Sequence, residues 1–333
     1  MNGDDAIKVV PVRHVGRWIG SAVALLLVIM LVHTLFSKVP TGQTECRSVN
    51  GARVCHALKD WRFGWHVVKQ YFLSSEILHG LELTIVLSLM AMAMGIIVGI
   101  LIAIMRLSSN RLLSSTAWLY TWFFRGTPVF VQVLFWYNIA LLYPQIRVGV
   151  PFTSWDLFHL NANTIFTAFV AGFVALSLNE GAYMAEIVRS GLISVDEGQG
   201  EAAASLGMTR RQTLRLIVLP QAMRVIIPPT GNELNSMFKT SSLLSAAGVI
   251  ELTGAAQNIY AGNYEIMQLL VTACLWYLAI TTVVSVGQYY FERHFAQGAL
   301  RTPPPTPIQR LRRDLRGIGS KMRTHRIVPE TVR

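Results

Sequence analysis

The chain has 333 residues, of which 52% are hydrophobic and only 14% charged, with a net charge of +11 and a mean hydropathy of +0.43. A soluble domain carries about 25% charged residues, so this composition excludes an ordinary soluble protein and points to a chain that lives in lipid. The positive charge is concentrated near the C-terminus, where nine lysines and arginines stand against Asp314 and Glu330 in residues 301–333.

Six apolar stretches, near residues 18–36, 81–105, 129–143, 164–188, 223–249 and 266–290, suit a hydrocarbon core of about 30 Å at about 1.5 Å of rise per residue. The third is short and borrows from the aromatic-rich residues 117–124. The expected fold class is therefore all-α, a polytopic membrane protein. Arg106 and Arg111 mark one connecting loop as cytoplasmic, and Arg189, Arg210, Arg211 and Arg215 mark another. Residues 251–264 contain no Lys or Arg, and 144–163 only Arg147, so both belong outside. Parity then puts both termini in the cytoplasm of a multi-pass protein of the plasma membrane. Residues 37–79 are rich in Lys and Arg for an outside loop, but long loops translocate with little regard to charge. The first span reads as an uncleaved anchor rather than a signal peptide, because no small-residue cleavage site follows Phe36. The basic tail is read as topology fixing or attraction to anionic lipid, not as a nucleic-acid site. Pro303, Pro304, Pro305 and Pro307 oppose a helix running straight out of the membrane.

Cys46 and Cys55 lie in the outside loop, where oxidation is permitted, and are a candidate disulfide. Spacing alone does not fix their geometry. Cys274 lies in an apolar span and reads as a small buried side chain. The histidines lack metal-ligand spacing, and there is no G-x-S-x-G, so no metal site and no catalytic triad are expected. No G-x-x-x-x-G-K-[ST] occurs either, which removes ATP hydrolysis from this chain. It is expected not to be an enzyme and to bind no cofactor.

Between two apolar spans lies EAAASLGMTRRQTLRLIVLP, residues 201–220. Glu201, Ala202 and Ala203 open a short helix of strong formers, and Gly207 can take the left-handed conformation that ends it. Thr209 with Gln212 makes a capping box for a second helix carrying Arg210 and Arg211, and Pro220 marks the return to the bilayer.

The order Glu201-Ala202-Ala203, Gly207, Ile217-x-Leu219-Pro220 resembles the EAA loop of ABC importer permeases. The likeness extends over residues 80–295. Gly80-Leu81-x-Leu83-Thr84 resembles the entry to the first core span of the polar-amino-acid permeases. Phe124-Arg125-Gly126-Thr127-Pro128 with Gln132 is similar to their FRGTP-x-x-x-Q segment. Leu176-Ser177-Leu178-Asn179, Gly181-Ala182-Tyr183 and Ala185-Glu186 are similar to their LSLN-x-GAY-x-AE stretch, and Pro228-Pro229-x-Gly231-Asn232 continues the match. The resemblance implies a five-span type I permease core, here with one extra N-terminal transmembrane helix. The permease domain then spans 80–295 with its coupling loop at 201–220. Outside the resemblance the residues themselves divide into 1–36, the cytoplasmic N-terminus and extra transmembrane helix, 37–79, an extracytoplasmic loop and interfacial segment, and 296–333, a basic, proline-containing cytoplasmic tail. The partners that the resemblance implies are a separate ATPase that holds ATP and Mg, a second permease subunit (identical or homologous), an extracytoplasmic solute-binding protein, an amino-acid substrate and membrane lipid. The loop residues Glu201, Ala202, Ala203, Gly207, Arg210, Arg211, Ile217, Leu219 and Pro220 would couple to the ATPase.

Asn179, Tyr183 and Glu186 share a helical face, with Glu180 beside it. Intramembrane ionisable groups are candidate substrate contacts. Glu180 is the stronger candidate, since Glu186 can instead pair with Arg189 three residues on. A small polar residue is common at the Glu180 position in the family, and the extra carboxylate leans towards a basic amino acid. Glu82, Asn232, Glu233, Asn235 and Lys239 are secondary candidates. Arg125, Gly126, Thr127 and Pro128 read foremost as a structural elbow at the cytoplasmic surface. Gly95 and Gly99 read as close helix packing, and Pro228, Pro229 and Gly231 as irregular backbone inside a span. A permease for another small solute, a channel or receptor signalling through the basic tail, and an intramembrane enzyme are the alternatives. The first lacks the FRGTP match, the second leaves the EAA-like loop unexplained, and the third lacks a nucleophile.

Overall fold

Long runs of apolar residues free of proline become long helices. In the computed structural model, which describes residues 15–49, 52–61, 63–149 and 156–296, these are α1 (Val15–Phe36), α3 (Ser75–Arg106), α8 (Ala168–Ile193) and α13 (Ile266–Ala296). Each is long and apolar enough to cross a membrane, where only internally bonded backbone is stable. The residues before 15 and after 296, including the basic tail, lie outside the described residues.

The other two expected spans are built differently. The third is divided between α4 (Arg111–Gly126) and α5 (Val129–Tyr137), followed by the short α6 (Ile139–Leu142). Thr127 and Pro128 between them are extended, with ψ of 145° and 129°. The fifth is α11 (Leu219–Thr240) and a following 3₁₀ turn, Ser241–Ala247. It carries Arg224, Asn232, Glu233, Asn235 and Lys239, which dilute its apolar character. Four described helices, not six, therefore meet the length and apolarity of a span unaided.

Contrary to the expected break at Pro228 and Pro229, α11 runs unbroken through both. Side chains bond carbonyls along the same stretch. Gln288 Nε2 donates to the Pro228 carbonyl at 3.2 Å, and Thr230 Oγ1 to that of Ile226 at 2.8 Å. The irregular backbone lies instead at the two ends of α11.

Two antiparallel hairpins occupy loops where no strand was expected: β1 (Lys38–Val49) with β2 (Ala52–Trp61), and β3 (Gln145–Gly149) with β4 (Asp156–Asn161). The remaining helices are α2 (Trp65–Tyr71), α7 (Ala162–Ile165), α9 (Glu197–Ser205), α10 (Arg210–Thr213) and α12 (Leu252–Asn263).

The chain divides into two compact units. In the first, residues up to His79 with Ala255–Leu275, Trp65 donates its Nε1–H to the Leu35 carbonyl at 2.9 Å and stacks on Phe36. Cys274 is exposed on α13 rather than buried. In the second, Gly80–Gly254 and Trp276 onward, α8 is the hub against which α4, α5 and α11 pack. One core joins Leu87, Ala91, Val133, Leu176, Met237 and Leu244; another joins Met92, Met184, Val188, Ala222 and Ile226.

Small residues let these helices approach. A Cβ at Gly95 would stand 2.6 Å from Glu180 Cγ, and one at Gly99 would collide with Met184. The Gly95/Gly99 pair thus seats α3 on α8, as close packing of small residues in membranes does. Where the second unit reaches the start of α12, Glu251 is fully buried. Its carboxylate accepts from the N–H groups of Thr253 and Gly254 (both 2.9 Å) and from Tyr277 Oη (2.8 Å). Thr84 Oγ1 accepts from Leu252 N–H at 3.0 Å, so α3, α12 and α13 share one buried polar joint.

Candidate functional site: a charged cleft and an exposed helical loop

The elbow between α4 and α5 is where the site begins. In a helix the Phe124 carbonyl would receive the N–H of residue 128, but Pro128 has none. Two side chains supply the missing donors. Gln132 Nε2 reaches Phe124 O at 3.0 Å and Asn179 Nδ2 reaches it at 2.9 Å. Gln132 also donates to Thr127 Oγ1 at 2.7 Å and accepts from Asn179 at 3.2 Å. Thr127 Oγ1 in turn donates to the Phe123 carbonyl at 2.9 Å, standing in for the lost helical bond. The FRGTP-x-x-x-Q and LSLN segments are thus one hydrogen-bonded joint holding α4, α5 and α8 together.

This joint forms one wall of a cleft of about 560 Å³. Arg125, Gly126, Thr127 and Pro128 line it from the elbow, Asn179, Glu180 and Tyr183 from α8, and Glu233 and Ser236 from α11. The spacing of Arg125, Gly126, Thr127 and Pro128 predicts foremost a structural bend, yet all four residues also line the cleft. The Arg125 guanidinium carbon lies 5.3 Å from the centre of the Tyr183 ring, a cation–π distance. Glu180 is only 4% exposed, and its Oε1 has no hydrogen-bond partner within the protein. Glu233, a secondary candidate from sequence, lines the same cleft from α11.

Glu186 does not line this cleft. Arg189 binds its carboxylate with two donors at 2.7 and 3.0 Å, and Arg106 approaches to 3.9 Å. Asn235 faces α13 instead, donating to Gln288 Oε1 at 3.0 Å, with Gln288 also donating to Asn232 Oδ1 at 3.2 Å. A larger cleft of about 760 Å³ between α3, α8, α11 and α13 is almost wholly apolar. The polar groups converge in the first cleft and not in the second.

The second candidate element is the loop at 201–220. Its first helix, α9, starts earlier than expected, with Asp196 accepting from Gly198 N–H at 2.8 Å. It ends at Gly207, whose φ is +78°. Met208 N–H reaches Ala203 O at 3.1 Å and Gly207 N–H reaches Ala204 O at 3.0 Å, the paired bonds of a Schellman stop. Thr209 and Gln212 form the expected capping box of α10. Leu214–Val218 then open into a π turn just before Pro220, which supplies no N–H to the Leu216 carbonyl. Ala203 is buried, while Glu201, Ala202, Arg210 and Arg211 are exposed. Leu206, which the sequence reading passed over, is 80% exposed. Its signal in sequence is an apolar residue directly before a helix-ending glycine in an otherwise polar loop. Pro220 lies in the first turn of α11, which carries Glu233 of the cleft.

The profile of the family described as "Binding-protein-dependent transport system inner membrane component" matches residues 95–297. The chain is 41% identical over 297 residues to the "Arginine transport system permease protein ArgU" of Corynebacterium glutamicum, covering 89% of this chain and 85% of that protein. It is 31% identical over 235 residues to the "Glutamine transport system permease protein GlnP" of Escherichia coli strain K12, covering 70% of this chain and 96% of that one. A solved structure described as an amino acid ABC transporter with histidines matches with a TM-score of 0.58 at 33% identity, covering 69% of this chain and 97% of its own. With its apolar helices, its polar cleft and its exposed helical loop, the chain is a multi-pass membrane protein that belongs to the family of binding-protein-dependent transport system inner membrane components.

Proposed function

We propose that this chain is the translocating subunit of an ATP-driven importer for amino acids, and that its cleft selects basic ones. The observation that carries the substrate class is the charge pattern of the cleft, one guanidinium (Arg125) and two carboxylates (Glu180 and Glu233). A basic amino acid presents the mirror image: one carboxylate, an α-ammonium and a side-chain cation. Its carboxylate would face Arg125, and its two cations would face Glu180 and Glu233. Burying a charge is costly unless it is paired, so the unpartnered Glu180 oxygen favours a ligand that brings a cation. The arginine permease relative supports the same class.

The chain performs no covalent chemistry in this reading. ATP and Mg would be held by a separate ATPase docked on residues 201–220, with the exposed Leu206 as an apolar anchor and Glu201, Arg210 and Arg211 as polar contacts. Movement of the loop would pass through the π turn into α11 and so to Glu233. A cycle between inward- and outward-open states is then a population shift driven by the ATPase. A second permease subunit and an extracytoplasmic solute-binding protein complete the assembly, with both termini of this chain in the cytoplasm of a plasma-membrane complex.

The test is reconstitution of the permease with its ATPase and binding protein in proteoliposomes. ATP-dependent accumulation of labelled arginine or lysine supports the reading. Accumulation of glutamine or glutamate with no effect of excess arginine or lysine would reject the substrate class. Absence of any ATPase from the purified, folded complex would reject the coupling.

A further inference from the structure

In the first hairpin, Cys46 stands directly opposite Cys55 in the strand register, and Val49 opposite Ala52 closes the ladder. Only Asn50 and Gly51 separate the closing pair, a dipeptide suited to a two-residue turn. Val49 and Ala52 must then exchange both ladder hydrogen bonds, because the other pairing class would require bonds between the adjacent residues 50 and 51. Alternation along an antiparallel ladder makes 48↔53 a non-bonded pair, 47↔54 a bonded one, and 46↔55 non-bonded again. Cα atoms of a non-bonded pair lie about 4.5 Å apart, inside the range of roughly 4.4–6.8 Å that a disulfide spans. The register therefore places both cysteines at the class of site where a bridge fits the backbone.

We propose that Cys46 and Cys55 form an intramolecular disulfide that staples this hairpin on the extracytoplasmic side; the location rests on the orientation proposed above. Two thiols lose two protons and two electrons to form the S–S bond. An extracytoplasmic protein disulfide takes them up by exchange and leaves as a dithiol. The hairpin precedes the region matched by the family profile, residues 95–297. A two-stranded ribbon on its own is marginal in water, and a one-residue slip would turn each side chain to the opposite face. The bridge locks the register.

The test uses the full-length chain carrying Cys274→Ser in intact cells. Thiols are trapped with acid, the protein is denatured, and free cysteines are tagged with a polyethylene-glycol maleimide. The expected result is no mass shift without reductant, two shifts after reduction, and one unreduced shift in the Cys46→Ser variant. Opening of the bridge by a membrane-impermeant reductant on intact cells supports both the bridge and its location. Two free thiols without reductant overturn the disulfide, and their labelling from outside would leave the orientation standing. A bridge that opens only after the cells are permeabilised overturns the extracytoplasmic placement and the orientation together. A reductant-sensitive dimer in place of the monomeric bridge overturns the intramolecular pairing.

Discussion

Asn179 and Gln132 lie 3.2 Å apart, and both donate to the carbonyl oxygen of Phe124. That oxygen is free because Pro128 lacks the N–H a helix would supply. A proline, an amide on α5 and an amide on α8 are therefore one device, and the cleft wall depends on it.

Replacing Gln132 by Leu removes two donors from that joint and leaves Asn179 and Thr127 short of partners. The expected cost is about 1–3 kcal/mol, the usual penalty for stranded buried polar groups, read as a lower melting temperature in detergent. Pro128→Ala restores a backbone donor, so the cost of Gln132→Leu is expected to shrink in that background. Additive effects of the two changes, measured as a double-mutant cycle, would contradict the joint.

The contact of Gly95 with Glu180 gives a second expectation. Gly95→Ala inserts a methyl 2.6 Å from Glu180 Cγ, and overpacking of this kind costs about 1–3 kcal/mol. Gly200→Ala, inside α9 with nothing within 4 Å of the added Cβ, should instead stabilise that helix by up to about 1 kcal/mol. Thermal denaturation of the two variants beside the parent protein checks the opposite signs.

In the loop at 201–220, Gly207 holds φ at +78°, and an Ala there costs about 1–2 kcal/mol of local strain. Gly207→Ala should weaken co-purification of the ATPase while the transmembrane part keeps its melting temperature. Leu206→Asp should abolish that co-purification, because it places a charge where an apolar anchor would be buried. Unchanged capture of the ATPase by the folded Leu206→Asp variant would remove Leu206 from the docking surface.

Much of this arrangement was legible in the sequence, for physical reasons. The capping box at Thr209 and the stop at Gly207 are local devices, so residue type and spacing specify them. Asn179, Glu180 and Tyr183 could be placed on neighbouring positions of one helix by the 100° rule. What faces them could not, because Arg125 and Glu233 reach the cleft through tertiary packing of α4 and α11 on α8. Glu186 shows the competing force: a cation three residues away captures it before the cleft can. Glu251 went unremarked because its partners Thr84 and Tyr277 are 167 and 26 residues distant. The strands of the first hairpin hold few alternating apolar residues, so only the dipeptide Asn50-Gly51 signals them. In the second hairpin Ile146 and Val148 alternate with Gln145 and Arg147, a period of two shown only over a five-residue run. That α11 runs unbroken through Pro228 and Pro229 does not follow from local propensity.

The most direct measurement is competition of basic and neutral amino acids for ATP-driven uptake by proteoliposomes bearing the parent permease, Glu180→Gln or Glu233→Gln. Each carboxylate removed deprives the cleft of the partner for one cation. Loss of such a charge-assisted contact is worth about 1.5–3 kcal/mol, or roughly 10- to 150-fold. Uptake of arginine and lysine is expected to fall by such a factor in both variants while uptake of a neutral amide amino acid is retained or gained. Equal losses for basic and neutral substrates, or no change for either, would contradict a cleft that selects its solute by charge.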